Sequence, residues 1–147
     1  MAALVWFRND LRVLDNPALW HACREHTQVH ALFLITRKQW ALHDMAPVRE
    51  HFLQEQVEDL RTNLARMGIQ LLVKDVADFK ASPAGVINAA LDSSVTDIYY
   101  NAEYELNEQR RDEALCAQAS AAGFSVKSFH DQCLIAPGRL LNQQGSF

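Results

Sequence analysis

The sequence predicts an α/β fold, a three-layer Rossmann-like doubly wound sheet of five parallel strands, and three observations predict it. Short runs rich in β-branched and aromatic residues alternate with segments whose apolar residues recur at spacings of three and four. The connections between them are short, so consecutive strands must be joined by crossover helices, and such crossovers are right-handed. Several strands are apolar throughout instead of alternating, as strands covered on both faces are.

Leu4-Val5-Trp6-Phe7 is the first such run, and the charged stretch Arg8 to Arg12 that follows marks its carboxyl end. Asn16 is a favoured helix N-cap and Pro17 a favoured first helical residue, so a helix is expected from Pro17 to about Glu25. Val29 to Ile35 reads as the second strand, and Thr36 to Met45 as a connection with no strong period. Pro47 opens a long helix with a stripe at Val48, Phe52, Leu53, Val57, Leu60, Leu64 and Met67, closed by Gly68 as its C′ residue. Ile69 to Lys74 is the third strand and 75–80 a loop. Ser82 then serves as cap ahead of Pro83, with Val86, Ile87, Ala90 and Leu91 as the apolar face of the next helix. Asp97 to Asn101 is the fourth strand, Asn107 to Ala122 the fourth helix with Gly123 behind it, and Phe124 to Phe129 the fifth strand. From His130 the pattern dissolves into a Pro137-Gly138 turn and a polar tail.

At 147 residues the chain is one domain's worth, and 49% hydrophobic with 22% charged residues is the composition of an ordinary globular protein. A net charge of −4 argues against a domain that grips nucleic acid by itself, because that binding needs a basic surface to release counterions. Cys23, Cys116 and Cys133 are odd in number and widely spaced, which suggests neither a disulfide framework nor a zinc site and fits a reducing cytoplasm. No basic segment leads into a long apolar stretch at the amino terminus, so neither secretion nor membrane spanning is expected.

The first βα turn, Phe7-Arg8-Asn9-Asp10-Leu11-Arg12, contains no glycine, so the close backbone approach that a dinucleotide pyrophosphate requires is missing and NAD or FAD binding in the usual Rossmann manner is excluded. Arg8, Asp10, Arg12 and Asp15 alternate in sign, as a loop held by its own ion pairs would. No Ser/His/Asp or Cys/His arrangement and no phosphate loop is present, and no catalytic residue or metal ligand is assigned. Trp6, Phe7, Tyr99 and Tyr100 read as core and sheet-edge aromatics. Asn107 and Glu108 have a plain structural account as cap and first-turn carboxylate, the latter stabilised by roughly 0.3 to 1 kcal/mol against the helix dipole. A carboxylate in that place is also able to accept two parallel hydrogen bonds from the amino group and ring N–H of a pterin. His43 stands alone in its loop, with no second ligand at metal spacing.

Trp6-Phe7-Arg8-(x)-Asp10-Leu11-Arg12 followed by Asp15-Asn16-Pro17-Ala18-Leu19 closely resembles the amino-terminal signature of the DNA photolyase and cryptochrome family. The resemblance continues through Thr36 to Pro47, Tyr99 to Arg111 and Leu134 to Gly138, and is closest to bacterial cyclobutane-dimer photolyases with a folate antenna. It implies an antenna domain over residues 1–130, with 131–147 beginning the linker to a helical flavin domain. It further implies that the whole protein uses light to split cyclobutane pyrimidine dimers, by electron transfer from reduced FAD held, like the damaged DNA, by that other domain. Asn107, Glu108 and His43 are then implied contacts of 5,10-methenyltetrahydrofolate, which reverses the plain account of Asn107 and Glu108. A cryptochrome-type photoreceptor, or a non-enzymatic nucleotide-binding or interaction module of the same fold, is the alternative.

Overall fold

Ala3 to Phe7 are fully or almost fully buried because their strand runs through the centre of the sheet with helices on both sides. A computed structural model describes residues 1–135, 137 and 139, and in chain order its elements are β1 (Ala2–Phe7), α1 (Pro17–Glu25), β2 (Gln28–Ile35), α2 (Arg37–Leu42), α3 (Pro47–Arg66), β3 (Gln70–Asp75), α4 (Ser82–Asp92), β4 (Asp97–Asn101), α5 (Leu106–Ala121) and β5 (Ser125–Phe129). All strand pairs are parallel in the order β3-β2-β1-β4-β5, so the winding reverses between β1 and β4. The expected Gly138 turn residue and most of the 131–147 linker lie outside the described residues.

Strand periodicity sorts the core into two layers. Ala3, Val5 and Phe7 point toward Ala18, Leu19 and Ala22 of α1 and Val57, Leu60 and Leu64 of α3. Leu4 and Trp6 point the other way, into Val86, Ala89 and Ala90 of α4 and Leu115 and Ala119 of α5. The cap at Asn16 forms as expected, its Oδ1 accepting the N–H of Leu19 at 3.1 Å. Gly68 and Gly123 sit at φ of +75° and +83°, the left-handed residues that close α3 and α5.

Five expectations need correction. Residues 37–42 form a helix, too short for a period to show, and Trp40 alone of its residues is buried. In α3 only Val57, Leu60 and Leu64 are buried, while Val48, Phe52 and Met67 are exposed, so the stripe is half as long as its spacing suggested. Ser82 is the first helical residue of α4 and not its cap; its hydroxyl donates to the Asp78 carbonyl, and the Asp78 carboxylate accepts the Ala81 N–H. Leu91 faces solvent, and Ala89 takes its place in the core. Helix α5 begins at Leu106 with Glu105 in the cap position, which leaves Asn107 inside the first turn with no capping role.

A polar cluster fastens the end of α1 to the β4–β5 edge. Glu25 Oε2 accepts hydrogen bonds from Lys127 Nζ at 2.5 Å and from the Tyr99 hydroxyl at 2.7 Å. These donors, Lys127 first, hold the Glu25 carboxyl down at about 2, against an ordinary value of 4.5. A depressed carboxyl stabilises the fold in full above its unfolded value, and the stabilisation fades as pH falls through the folded one. Urea midpoints of the wild type are therefore expected to drop between pH 4.5 and 2 by more than those of Glu25→Gln. Parallel curves for the two proteins would show that the cluster contributes nothing to acid stability.

Candidate functional site

In an open α/β sheet the carboxyl ends of the strands flanking the reversal leave a crevice, because the helices leave toward opposite faces. Here a crevice of about 230 Å³ opens beyond β1 and β2. One side of it is charged. Arg8, buried directly after β1, donates from Nη1 to Asp112 Oδ1 at 2.6 Å and from Nη2 to the Asn101 carbonyl. Arg111 donates to Glu103 Oε2 at 2.8 Å and to Asp112 Oδ1 at 3.1 Å, and Asn9 Nδ2 donates to Glu103 Oε1 at 2.5 Å. Two guanidiniums and two carboxylates thus neutralise one another out of water, the condition under which buried charge is tolerated.

Both guanidinium carbons lie 4.8 Å from the ring centre of the Trp6 indole, while Arg8 also lies 4.5 Å from the Tyr100 ring and Arg111 4.7 Å from that of Phe79. Such contacts add roughly 0.5 to 2 kcal/mol each and fix the plane of the fork as well as its charge. The opposite side is apolar and formed by Phe33, Trp40, Phe52 and Leu53. An aromatic wall facing a few fixed donors and acceptors suits a flat heterocycle with a polar edge.

The loop after β1 is held to itself by hydrogen bonds from the Arg8 N–H to Asp10 and from Arg12 to the Asp15 carbonyl, but its ion pairs go elsewhere and not to one another as its alternating signs suggested. Arg8 reaches α5, Asp10 Oδ2 accepts from Asn101 at 2.6 Å and from Asn16 at 3.1 Å, and Arg12 pairs with Asp131 at 2.6 Å. The motif is thereby tied to β4, α5 and the segment after β5. The Asn101 side chain completes the knot, accepting the Ala18 N–H at the start of α1.

The three expected site residues fall on the same sheet edge but outside the crevice. His43 ends α2, is exposed, and has Nε2 2.8 Å from the side-chain amide nitrogen of Gln39. Asn107 is exposed and Glu108 half-buried in the first turn of α5, and among the described residues neither side chain has a hydrogen-bond partner. No hydrogen bond or ion pair joins His43 to either of them. Each nonetheless lies within a turn of a residue that lines the crevice, Trp40 and Met45 beside His43 and Arg111 beside Glu108. Sequence reasoning missed Glu103, Arg111 and Asp112. The signal was the spacing Arg111, Leu115, Ala119, which puts Arg111 on the buried face of α5.

The glycine-free first turn, the reversal of strand order and the aromatic and charged crevice define a doubly wound domain with a crevice at the carboxyl edge of its sheet and no phosphate loop. A family model described as DNA photolyase matches residues 3–147, and the chain belongs to that family. The deoxyribodipyrimidine photo-lyase of Salmonella typhimurium is 42% identical over 139 residues, covering 94% of this chain and 29% of its own length. An archaeal photolyase from Sulfolobus tokodaii superposes with a TM-score of 0.79 at 23% identity, over 95% of this chain and 32% of that one. A cryptochrome from Synechocystis does so at 0.76 and 29% identity, over 88% and 27%. The chain spans about three tenths of the length of the curated relatives it matches. Among the described residues no helix is long and apolar enough to cross a membrane.

Proposed function

We propose that this domain is the light-harvesting part of a deoxyribodipyrimidine photolyase that repairs cyclobutane pyrimidine dimers in DNA by light-driven electron transfer from reduced FAD. The observation that carries the reading is the 42% identity to a protein of that name across nearly all of this chain. FAD and DNA are assigned to a carboxyl-terminal flavin domain outside this sequence, in keeping with the net charge of −4 and the absence of a glycine turn. A cytoplasmic location is in keeping with Cys23, Cys116 and Cys133, all exposed and unpaired thiols. A cryptochrome-type photoreceptor is the lesser reading, since the fold is common to both.

The antenna reading places 5,10-methenyltetrahydrofolate against Glu108, Asn107 and His43, and the donor set fits a pterin. When bound, that chromophore absorbs near-ultraviolet light and passes the excitation to the flavin. The Glu108 carboxylate at the start of α5, with no hydrogen-bond partner among the described residues, accepts a pair of N–H groups. Asn107 offers a donor and an acceptor beside it. His43, with Nε2 against the Gln39 side chain, offers Nδ1 of its ring. In the full-length protein Glu108→Ala is expected to cost about 1.5 to 3 kcal/mol of folate affinity, roughly tenfold to a hundredfold. Titration of methenyltetrahydrofolate followed by near-ultraviolet absorbance measures it, with repair under light absorbed directly by FAD unchanged. Equal affinities would reduce Glu108 to a first-turn carboxylate.

A second reading places a flat aromatic chromophore in the crevice itself. It is favoured by one observation: the crevice has an aromatic wall and a fixed polar side, and none of the three folate residues lines it.

A further inference from the structure

The sheet ends at β3 on one side and β5 on the other, each with one flank unpaired. Such an edge is a row of free backbone N–H and C=O groups on which another strand can build. On β3 the Val76 N–H turns inward to the Ile35 carbonyl, so by the alternation of a strand the backbone groups of Leu71, Val73 and Asp75 turn outward. Their side chains share the face covered by α3, where Leu71 and Val73 meet the core. From that face Arg61 reaches over the edge, and its Nη1 donates to the Leu71 carbonyl at 3.2 Å. Asp75, at the other end of the row, is exposed and lies 3.4 Å from Arg37 Nε. Val73 stands between them, half-buried, and lines an apolar cavity of about 340 Å³ with Ile35, Leu53 and Val57.

We infer that the β3 edge pairs with the β3 edge of a second copy of this chain, antiparallel about Val73, so that two sheets join into one across a two-fold axis. In that register Val73 faces the partner's Val73 and Leu71 faces the partner's Asp75, with directly opposed side chains about 5 Å apart. Charge selects the register. The partner's Asp75 carboxylate comes to lie beside Leu71, within reach of the Arg61 guanidinium, while its N–H takes the Leu71 carbonyl that Arg61 covers in the single copy. A shift of two residues in either direction would carry that carboxylate to Val73 or past the start of β3. Within one copy Arg61 and Asp75 do not meet, since Arg61 pairs with Glu58 and Asp75 with Arg37. Lys74, held by Asp92 at 2.7 Å, falls opposite the partner's Leu72, so no like charges are opposed. The β5 edge (Ser125–Phe129) lacks this fit, because the same pairing about its middle residue would set Lys127 against Lys127.

Strands of six residues place the pair among small, transient interfaces, so sedimentation velocity of the 147-residue chain from about 10 µM to 1 mM tests it. The wild type is expected to show a dimer that grows with concentration. Val73→Pro removes an outward N–H that β2 does not use, a change edge strands tolerate, and is expected to weaken the dimer at least about tenfold. Asp75→Arg and Arg61→Glu each set like charges across the interface and should weaken it by at least about the same factor. Mixed in equal amounts, those two variants meet as a heterodimer with opposite charges at both contacts, which should form at least about tenfold more readily than either homodimer. Far-ultraviolet circular dichroism checks the fold of each variant, and if Val73→Pro unfolds, the mixing experiment decides. A wild type monomeric throughout the range, a dimer that persists in folded Val73→Pro, or a mixture that associates no better than its components would overturn the pairing.

Discussion

Replacing Arg8 by Met is expected to lower the free energy of unfolding by about 3 to 5 kcal/mol, the cost of leaving a buried charge without its partner. The guanidinium is the fork that joins β1, the end of β4 and α5. Its loss strands Asp112 with only Arg111 to face it, leaves the Asn101 carbonyl short of a donor, and uncovers one face each of Trp6 and Tyr100. Arg8→Lys keeps the charge but not the two-pronged geometry or the stacking, and should recover only part of the loss. Adding Asp112→Leu to Arg8→Met removes the stranded carboxylate, so the double variant should be less damaged than the two single losses combined, by a coupling of about 0.5 to 3 kcal/mol. Urea unfolding of the four proteins measures this. Strict additivity would mean that the network is four independent side chains sharing a location, and that the motif after β1 owes its form to the loop alone.

That network also shows where sequence reasoning reaches its limit. The strands were legible because Leu4 to Phe7, Val29 to Ile35 and Asp97 to Asn101 carry their burial in their composition, and because Pro17, Pro47, Gly68 and Gly123 obey local backbone rules. The right-handed crossover then leaves little freedom in how the strands are ordered. The partners of Arg8 were not legible, since they lie 93 to 104 residues away and the nearest opposite charges, Asp10 and Asp15, are plausible but wrong. Only the fold brings Asp112 and Asn101 to the end of β1. Charge pattern along a chain predicts pairs within a helix face, where the spacing is fixed, and loses that power across a sheet.

The candidate site divides in the same way. Glu108 and His43 are expected from motif resemblance and a local account of their chemistry, and both lie on the carboxyl edge of the sheet. The crevice beyond β1 and β2 was not legible, because it is assembled from side chains of many separate segments, most of them apolar and individually unremarkable. An exposed Phe at position 52 looks like one more tooth of a helical stripe until the helix is placed.

Leu60→Ala and Phe52→Ala should therefore differ sharply although both belong to one helix and one apparent stripe. Leu60 is 1% exposed and, with Val57 and Leu64, is one of the three buried residues of α3, so truncating it leaves a cavity and is expected to cost about 2 to 5 kcal/mol. Phe52 is 57% exposed over the mouth of the crevice, and its removal should change stability by no more than about 0.5 kcal/mol, the usual range for a surface substitution. Val48→Ala, more exposed still, is the control. Midpoints of urea unfolding compare the three, and a cost for Phe52→Ala close to that of Leu60→Ala would mean that the amino-terminal half of α3 lies against the sheet as the sequence stripe implied. If the difference stands, the first half of α3 gives Leu53 alone to the edge of the core and Phe52 to the wall of the crevice, and that aromatic residue is free to serve a ligand because the fold does not need it.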